Sequence, residues 1–584
     1  MTQHTLSEQL SRVDEQVLVL DADTLPALAI VRSLGRAGAS VICASHEAKP
    51  ISARSRYSSL VLCYPSPLAQ PTEFLLWLEQ ILNTRPNIGM VIPVTERTLV
   101  PISKHFDTPA LRARFAIAEH NALEQVLDKS LTANLAERCQ VPQPASWTLH
   151  QPEDLSTIVP ELTFPVVIKP GRSITQGNTQ DSTRQSMNVC YAHSPQELIN
   201  LCQSMLSSTH LILQEYFSGE GIGIELLAAQ GEIVYAFQHR RLHEVPLSGG
   251  GSSLRVSEEP IPELLTASKQ LIRELQWQGV AMVEFKWQPL TRRFILIEIN
   301  GRFWGSLPLA TAAGADFPQL LWHQHYQRPI PVLPAFKRNL RCRKLSADLA
   351  WFEAVMRRDA DPRLVTLPSR AQAVHALLTM LLPGQRFDAQ SLSDPLPGLI
   401  DMASIMRTYW QRLTGIISDK LRSLLYRRRS RWQQVSQIVG KSQRILFICY
   451  GNINRSALAD VLFQHYRPAT STVECRSAGF HREAGRNADP RMVALAAKQG
   501  VDMGAFRSHQ LDTELLQWAD LILVMETSHI EQLKNDKRVY LMGGLIDKAG
   551  LAREIPDPYN QAGSVYQTVY QQVESAIKAL LKLS

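Results

Sequence analysis

In the run Cys449-Tyr-Gly-Asn-Ile-Asn-Arg455-Ser456, a nucleophile type is followed after five residues by an arginine and a serine. Arg444-Ile-Leu-Phe-Ile, just before it, is a short apolar run that reads as a buried strand. Ala457-Leu-Ala-Asp-Val-Leu-Phe, just after it, reads as a helix. Strand, loop and helix in that order build a phosphate cradle. Loop N–H groups and the helix N-terminus face an anion, and the helix dipole favours negative charge there. The same field favours a thiolate at Cys449 over a thiol. Arg455 can grip two phosphate oxygens at once, which a lysine cannot do. The Ser456 hydroxyl can hydrogen-bond the thiolate and make it a better leaving group.

Further signals follow within the same stretch: Ser477-Ala-Gly, Asp489-Pro, Ser508-His-Gln-Leu, Asp520-Leu-Ile-Leu-Val-Met-Glu and Asp557-Pro-Tyr559, then an amphipathic helix. Together they resemble the low-molecular-weight protein tyrosine phosphatases over roughly residues 442–584. The resemblance implies a four-stranded parallel-sheet domain acting on phosphotyrosine proteins or small phosphomonoesters. Cys449 would attack phosphorus and form a phosphocysteine. Arg455 and the loop amides would hold the transferring phosphoryl group, and Asp557 would be the acid and then the base. Tyr559 and Phe480 would line the rim, beside His481 and Arg482. One position departs from the pattern: Asn454 stands where the family often has a second loop cysteine. The route to reversible protection of Cys449 through a loop disulfide is thereby lost.

A second constellation lies in the N-terminal half. Phe164-Pro-Val-Val-Ile-Lys169-Pro is a strand ending in a lysine, and a loop rich in Gly, Ser, Thr and Asn follows over residues 171–182. Leu211-Ile-Leu-Gln-Glu215-Tyr-Phe217, Gly219-Glu220-Gly, Val283-Glu284-Phe-Lys and Ile295-Leu-Ile-Glu298-Ile-Asn300-Gly-Arg302 come next. Before them, Val17-Leu-Val-Leu, Ser40-Val-Ile-Cys-Ala, Leu60-Val-Leu-Cys and Met90-Val-Ile alternate with helical stretches, implying a small parallel sheet. No Gly-x-Gly-x-x-Gly follows the first strand, so dinucleotide binding has no support.

In this order the segments resemble the ATP-grasp superfamily over about residues 15–325, including the preceding α/β domain. The resemblance implies ATP and Mg²⁺ as cofactors, and a carboxylate activated as an acyl phosphate for attack by an amine. Glu298 and Asn300 alternate on one strand and project to one face, where Glu284 on a neighbouring strand can join them. Hard oxygen ligands of this kind suit Mg²⁺. By resemblance, Lys129 and Lys169 contact phosphates, and Glu215, Phe217 and Glu220 lie at the adenine or ribose. Loop 171–182 would close over the phosphates, and Arg302 would stabilise the transferred group. His239-Arg-Arg-Leu-His243 and Ser248-Gly-Gly-Gly-Ser-Ser-Leu-Arg255 form a candidate acceptor region for a carboxylate. A plain β-hairpin with a solvated basic strand is the alternative there.

With 584 residues the chain needs several cores. The expected organisation is α/β multidomain. A pre-ATP-grasp α/β domain covers 1–120, an ATP-grasp domain 121–330, a helical basic connector 331–440 and the phosphatase-like domain 441–584. Eight scattered cysteines without metal-ligand spacing, a polar start and the thiol nucleophile point to a reducing, cytoplasmic setting. In the connector, Ile405, Tyr409, Leu413, Ile416, Ile417, Leu421, Leu424 and Leu425 recur at helical spacing among arginines. Such a helix over 405–432 can lie on an anionic membrane, making the protein membrane-peripheral, or pack on a neighbouring domain. Nucleic-acid binding has only the charge in its favour. The leading reading is a bifunctional ligase and phosphatase. A phosphatase with a non-ligating, ATP-sensing module and a membrane-docked regulatory scaffold are the alternatives.

Overall fold

A computed structural model of the chain describes residues 15–106, 108–170, 190–206, 210–534 and 536–584. The expected phosphate-covering loop 171–182 and the N-terminal residues used for the localisation reading lie outside the described residues. The chain divides into two compact units, Met1–Ile405 and Met406–Ser584.

In the first unit, β1 (Gln16–Val19), β2 (Ser40–Ser45), β3 (Ser58–Cys63) and β4 (Ile88–Ile92) form a parallel sheet in the order β3-β2-β1-β4. Val17 and Val19 enter one core while Leu18 and Leu20 enter another, because successive strand residues face opposite sides. Helices Leu25–Arg36 and Pro71–Thr84 supply the crossovers that a parallel sheet requires. Two sheets follow. β5 (Ser146–Leu149), β6 (Val166–Pro170), β7 (Cys190–Ala192) and β8 (Leu211–Glu215) pair antiparallel in the order β5-β8-β6-β7. A seven-stranded sheet contains β9 (Glu220–Ala229), β10 (Glu232–Val245), β11 (Gly251–Glu258), β12 (Gly279–Gln288), β13 (Arg293–Asn300), β14 (Arg341–Arg343) and β15 (Arg386–Phe387). Its order is β13-β12-β9-β10-β11-β14-β15.

β14 and β15 are strands that the sequence pattern does not mark. Arg341-Cys-Arg343 lacks apolar alternation, and Arg343 is buried by bonding rather than by hydrophobicity. Its guanidinium pairs with Asp348 and donates to Thr379 Oγ1 at 2.8 Å. On the neighbouring strand, buried Arg255 pairs with Asp388, towards which Cys342 Sγ points at 3.2 Å. A similar buried pair ties the segment before residue 395 to the first sheet's helix. Arg32 Nε donates to Asp394 at 2.9 Å, and Asp394 also accepts from Ser55 Oγ at 2.8 Å and Arg56 N at 3.0 Å. Removing one partner of such a pair costs about 3–5 kcal/mol, because the other charge stays buried.

A single helix, Pro395–Arg429, runs for 35 residues, and the division between units falls inside it. In the second unit, β16 (Arg444–Cys449), β17 (Glu474–Gly479), β18 (Leu521–Val524) and β19 (Val539–Leu541) make a parallel sheet in the order β17-β16-β18-β19. Phe447 packs in the core shared with helices Arg455–Tyr466 and Gly563–Leu581, whereas Leu446 and Ile448 pack on the opposite face. Cys449 is therefore the last residue of a strand covered on both faces, at the C-terminal edge where α/β sheets bind ligands.

Candidate active sites

The loop after Cys449 folds back on its own sulfur. Asn452 N–H donates to Sγ at 3.2 Å, and Ser456 Oγ lies 3.0 Å from it. Asn452 takes a left-handed backbone (φ 50°), which asparagine tolerates better than most residues. That conformation lets its side chain brace the loop: Nδ2 donates to Ser456 Oγ at 2.9 Å, and Oδ1 accepts from His509 N–H at 2.7 Å. Buried Asn454 donates to Asp489 at 3.2 Å, and Asp489 also accepts from Tyr566 OH at 2.9 Å. The N-cap residue Asn454 makes no side-chain cap to helix Arg455–Tyr466, so its first N–H groups remain available to an anion.

Arg455 is 1% exposed. It pairs with Glu526, donates Nη1 to the Ile555 carbonyl at 2.9 Å and Nη2 to Asp557 Oδ2 at 2.7 Å. Its buried Nε has no partner among the described residues, which leaves a donor for an incoming anion. The structure thus brings Cys449, Ser456, Arg455 and Asp557 together. Asp557 remains half-exposed, and Tyr559, whose N–H donates to Asp557 Oδ1 at 3.2 Å, is 54% exposed. Phe480 sits against His529 with ring centres 5.5 Å apart, and Tyr450 meets His481 edge-on at 6.1 Å. Burial pushes the His529 imidazole down to about 4, so the ring is neutral at ordinary pH. Its Nδ1 accepts the Glu526 N–H at 3.3 Å. Sequence reading quoted Asn452 and Glu526 only within longer motifs and gave neither a role, because those roles come from loop conformation and from a contact across 71 residues.

The second site lies in the seven-stranded sheet. Glu284 pairs with Glu298 in the β12–β13 register. Asn300 Nδ2 lies 2.9 Å from Glu298 Oε1 and 3.4 Å from Glu284 Oε1, so the three expected side chains converge. Burial, reinforced by the neighbouring Glu298 carboxylate, raises the pKa of Glu284 against the pull of Arg241. Arg241 pairs with Glu284, and it also donates to Glu244 Oε1 at 3.3 Å and to the Gly250 carbonyl at 3.0 Å. Lys169 Nζ donates to Gln214 Oε1 at 2.6 Å. Burial, with Lys129 nearby, lowers Lys169 to about 8, while Glu298 pulls the other way. Lys129 opens helix Lys129–Arg138 after the Asp128 cap, and Glu215 ends β8 exposed. Phe217 packs under the Arg293 guanidinium at 5.8 Å, and Glu220 starts β9 at 3.8 Å from Arg240. Arg302 pairs with Glu96 at 3.1 Å.

The basic side chains of strand β10 already have acidic partners, most of them on other elements. Buried His239 Nδ1 lies 2.8 Å from Glu225, Arg240 pairs with Glu258 at 2.7 Å, and His243 Nδ1 lies 2.7 Å from Asp348. The Gln214 bond and the Arg241–Glu284 pair were not visible in sequence, because strand order alone creates them.

Comparison with known proteins finds a matching family model in each half of the chain. Residues 444–583 match the family model "Low molecular weight phosphotyrosine protein phosphatase". The phosphatase Wzb of Escherichia coli strain K12 is 33% identical over 139 residues, which are 23% of this chain and 90% of that protein. The chain belongs to the low-molecular-weight protein-tyrosine-phosphatase family. Etp of the same strain is 32% identical over 141 residues, covering 23% and 90% of the two chains. Residues 207–347 match the model "ATP-grasp in the biosynthetic pathway with Ter operon", and the N-terminal region is an ATP-grasp module. The crystal structure of L-amino acid ligase from Bacillus licheniformis is 16% identical, covering 53% of this chain and 74% of that one, with a TM-score of 0.41.

The phosphatase-family loop leaves no room beside Gly479. A Cβ there would lie 2.8 Å from both Asn452 N and Tyr450 O, backbone atoms that can yield only if the loop shifts. Gly479→Ala should lower kcat for aryl phosphate hydrolysis at least tenfold while the far-ultraviolet circular dichroism spectrum stays unchanged. Unaltered kcat would show that the loop does not depend on this contact.

Proposed function

We propose that this chain carries two separate activities. The C-terminal domain hydrolyses phosphomonoesters, phosphotyrosine among them, through phosphocysteine at Cys449. Cys449 Sγ attacks phosphorus, the P–O bond to the leaving group breaks, and Asp557 protonates that oxygen. Water then attacks phosphorus, Asp557 takes its proton, and the P–S bond breaks to release phosphate. Arg455 holds the equatorial oxygens, and Ser456 stabilises the departing thiolate. The observation that carries this reading is the 3.0 Å Ser456–Cys449 contact beside an Arg455 that reaches Asp557.

In the N-terminal module, we infer Mg²⁺–ATP-dependent joining of a small carboxylate and an amine. Among the described residues no group of three or more His, Cys, Asp or Glu side chains is placed to hold a metal ion. The donor set available is therefore Glu284, Glu298 and the Asn300 amide, completed by nucleotide phosphates and water, which fits Mg²⁺. The ion would offset the charge of the ATP phosphates. Lys169 and Lys129 would hold those phosphates, and Glu215, Phe217 and Glu220 the nucleoside. Bound ATP would supply the phosphoryl group that activates the carboxylate, with ADP as the leaving group, and the amine would then displace phosphate while losing its proton to water. Arg302 would steady the transferred group. The convergence of Glu284, Glu298 and Asn300 on one face carries this reading.

Purified protein given aryl phosphate, and separately ATP with carboxylate and amine mixtures, tests both halves. Cys449→Ser should abolish aryl phosphate hydrolysis and leave ATP-dependent phosphate release intact. Glu298→Ala should do the reverse. ATP consumption that survives Glu298→Ala would refute the assignment of the second site.

Lys169 adds a pH signature. It is protonated below about 8 and neutral above, so nucleotide binding above that pH must take up a proton. KM for ATP should rise with pH above 8, by up to about tenfold per unit. Lys169→Arg, which keeps its charge, should flatten that rise. An identical slope in both proteins would remove Lys169 from the nucleotide site.

A further inference from the structure

Between Met406 and Arg431 the chain holds eight cations, Arg407, Arg412, Lys420, Arg422, Arg427, Arg428, Arg429 and Arg431, against the single anion Asp419. That formal +7 equals the net charge of the whole chain, so the remainder is balanced. The same stretch exposes its apolar side chains. Met406, Trp410, Leu413, Ile417, Leu421 and Leu424 are 47–67% exposed along helix Pro395–Arg429. At 3.6 residues per turn they fall within about 80° of arc, a stripe bordered by Arg407 on one edge and Lys420 on the other.

We propose that residues 406–425 form an interfacial helix that lies on an anionic lipid surface. The stripe would enter the acyl boundary while the cations at its edges meet lipid phosphates. Three observations select this occupant. A second copy of segment 406–425, with four cations and one anion, would bring +3 against +3. A nucleic acid would satisfy the charge and leave six large apolar groups in water. Nor does the helix cross a membrane, since among the described residues no helix is long and apolar enough to do so. The end of the helix is fixed to the phosphatase domain: Arg427 Nε donates to the Ala552 carbonyl at 2.8 Å, and Arg429 stacks on Tyr540 at 4.8 Å. Lipid contact would therefore hold the Cys449 site close to the membrane surface.

The test is co-sedimentation of the full chain with vesicles of phosphatidylcholine alone and of phosphatidylcholine with phosphatidylglycerol. Binding should require the anionic lipid and weaken at least tenfold from low to high salt. Arg407→Glu with Lys420→Glu, and separately Trp410→Ser with Leu413→Ser, should each weaken it at least tenfold. Both variants should hydrolyse soluble aryl phosphate at the unmodified rate, which confirms that the domain is folded. Absence of binding at low salt, or equal binding to neutral vesicles, would overturn the proposal. So would a concentration-dependent dimer in sedimentation velocity that Trp410→Ser abolishes.

Discussion

A guanidinium buried to 1% exposure is the constraint on which the phosphatase half depends. Such a group cannot stay unpaired, because its desolvation costs several kcal/mol. Arg455 meets that demand with Glu526, the Ile555 carbonyl and Asp557, which come from two separate chain segments. The bonds that keep the arginine stable also hold the carboxylate of Asp557 against the residue that follows the Cys449 loop. Positioning and stability are thus one interaction seen twice. A phosphate arriving at this proposed site would find the guanidinium already held in place, with Nε left without a partner among the described residues.

The ATP-grasp half reaches a comparable arrangement with the charges reversed. There, two carboxylates and an amide share one sheet face, and Arg241 supplies a partial counter-charge to Glu284. Lys169 is held by the neutral Gln214 amide rather than by a carboxylate. Its depressed basicity follows from that choice: burial and nearby Lys129 oppose the ammonium, and among the described residues no salt bridge forms at it, Glu298 pulling only in part the other way. A phosphate anion would supply the missing charge. Each site therefore keeps part of its electrostatic demand open toward the ligand it is proposed to take.

Much of this was legible in the sequence, and for identifiable reasons. Cys449, Arg455 and Ser456 lie within eight residues, so a strand-loop-helix reading sufficed to place them. Glu298 and Asn300 share a face by strand alternation alone. Strands β1, β2, β4, β16 and β18 stand out because burial on two faces makes them nearly continuous apolar runs, whereas β3 and β17 carry exposed or polar residues in alternation. What stayed hidden depends on long-range pairing. Arg343 and Arg255 occupy strand positions through ion pairs with Asp348 and Asp388, and no hydrophobic periodicity records that. The cations of β10 left a carboxylate acceptor and a solvated basic strand both open, and sequence could not show that His239, Arg240, Arg241 and His243 each have an acidic partner in the fold. Asn452 passed as a loop residue because a left-handed backbone leaves no mark on composition.

The central claim is that the sulfur of Cys449 carries the phosphoryl group and Asp557 releases it. Asp557→Ala, mixed with aryl phosphate and quenched in acid within milliseconds, provides the direct measurement by peptide mass spectrometry. The account predicts one phosphoryl group on the peptide containing Cys449, accumulating in this variant above the level in the unmodified protein. Phosphate on any other peptide, or none on this one while turnover continues, would contradict it.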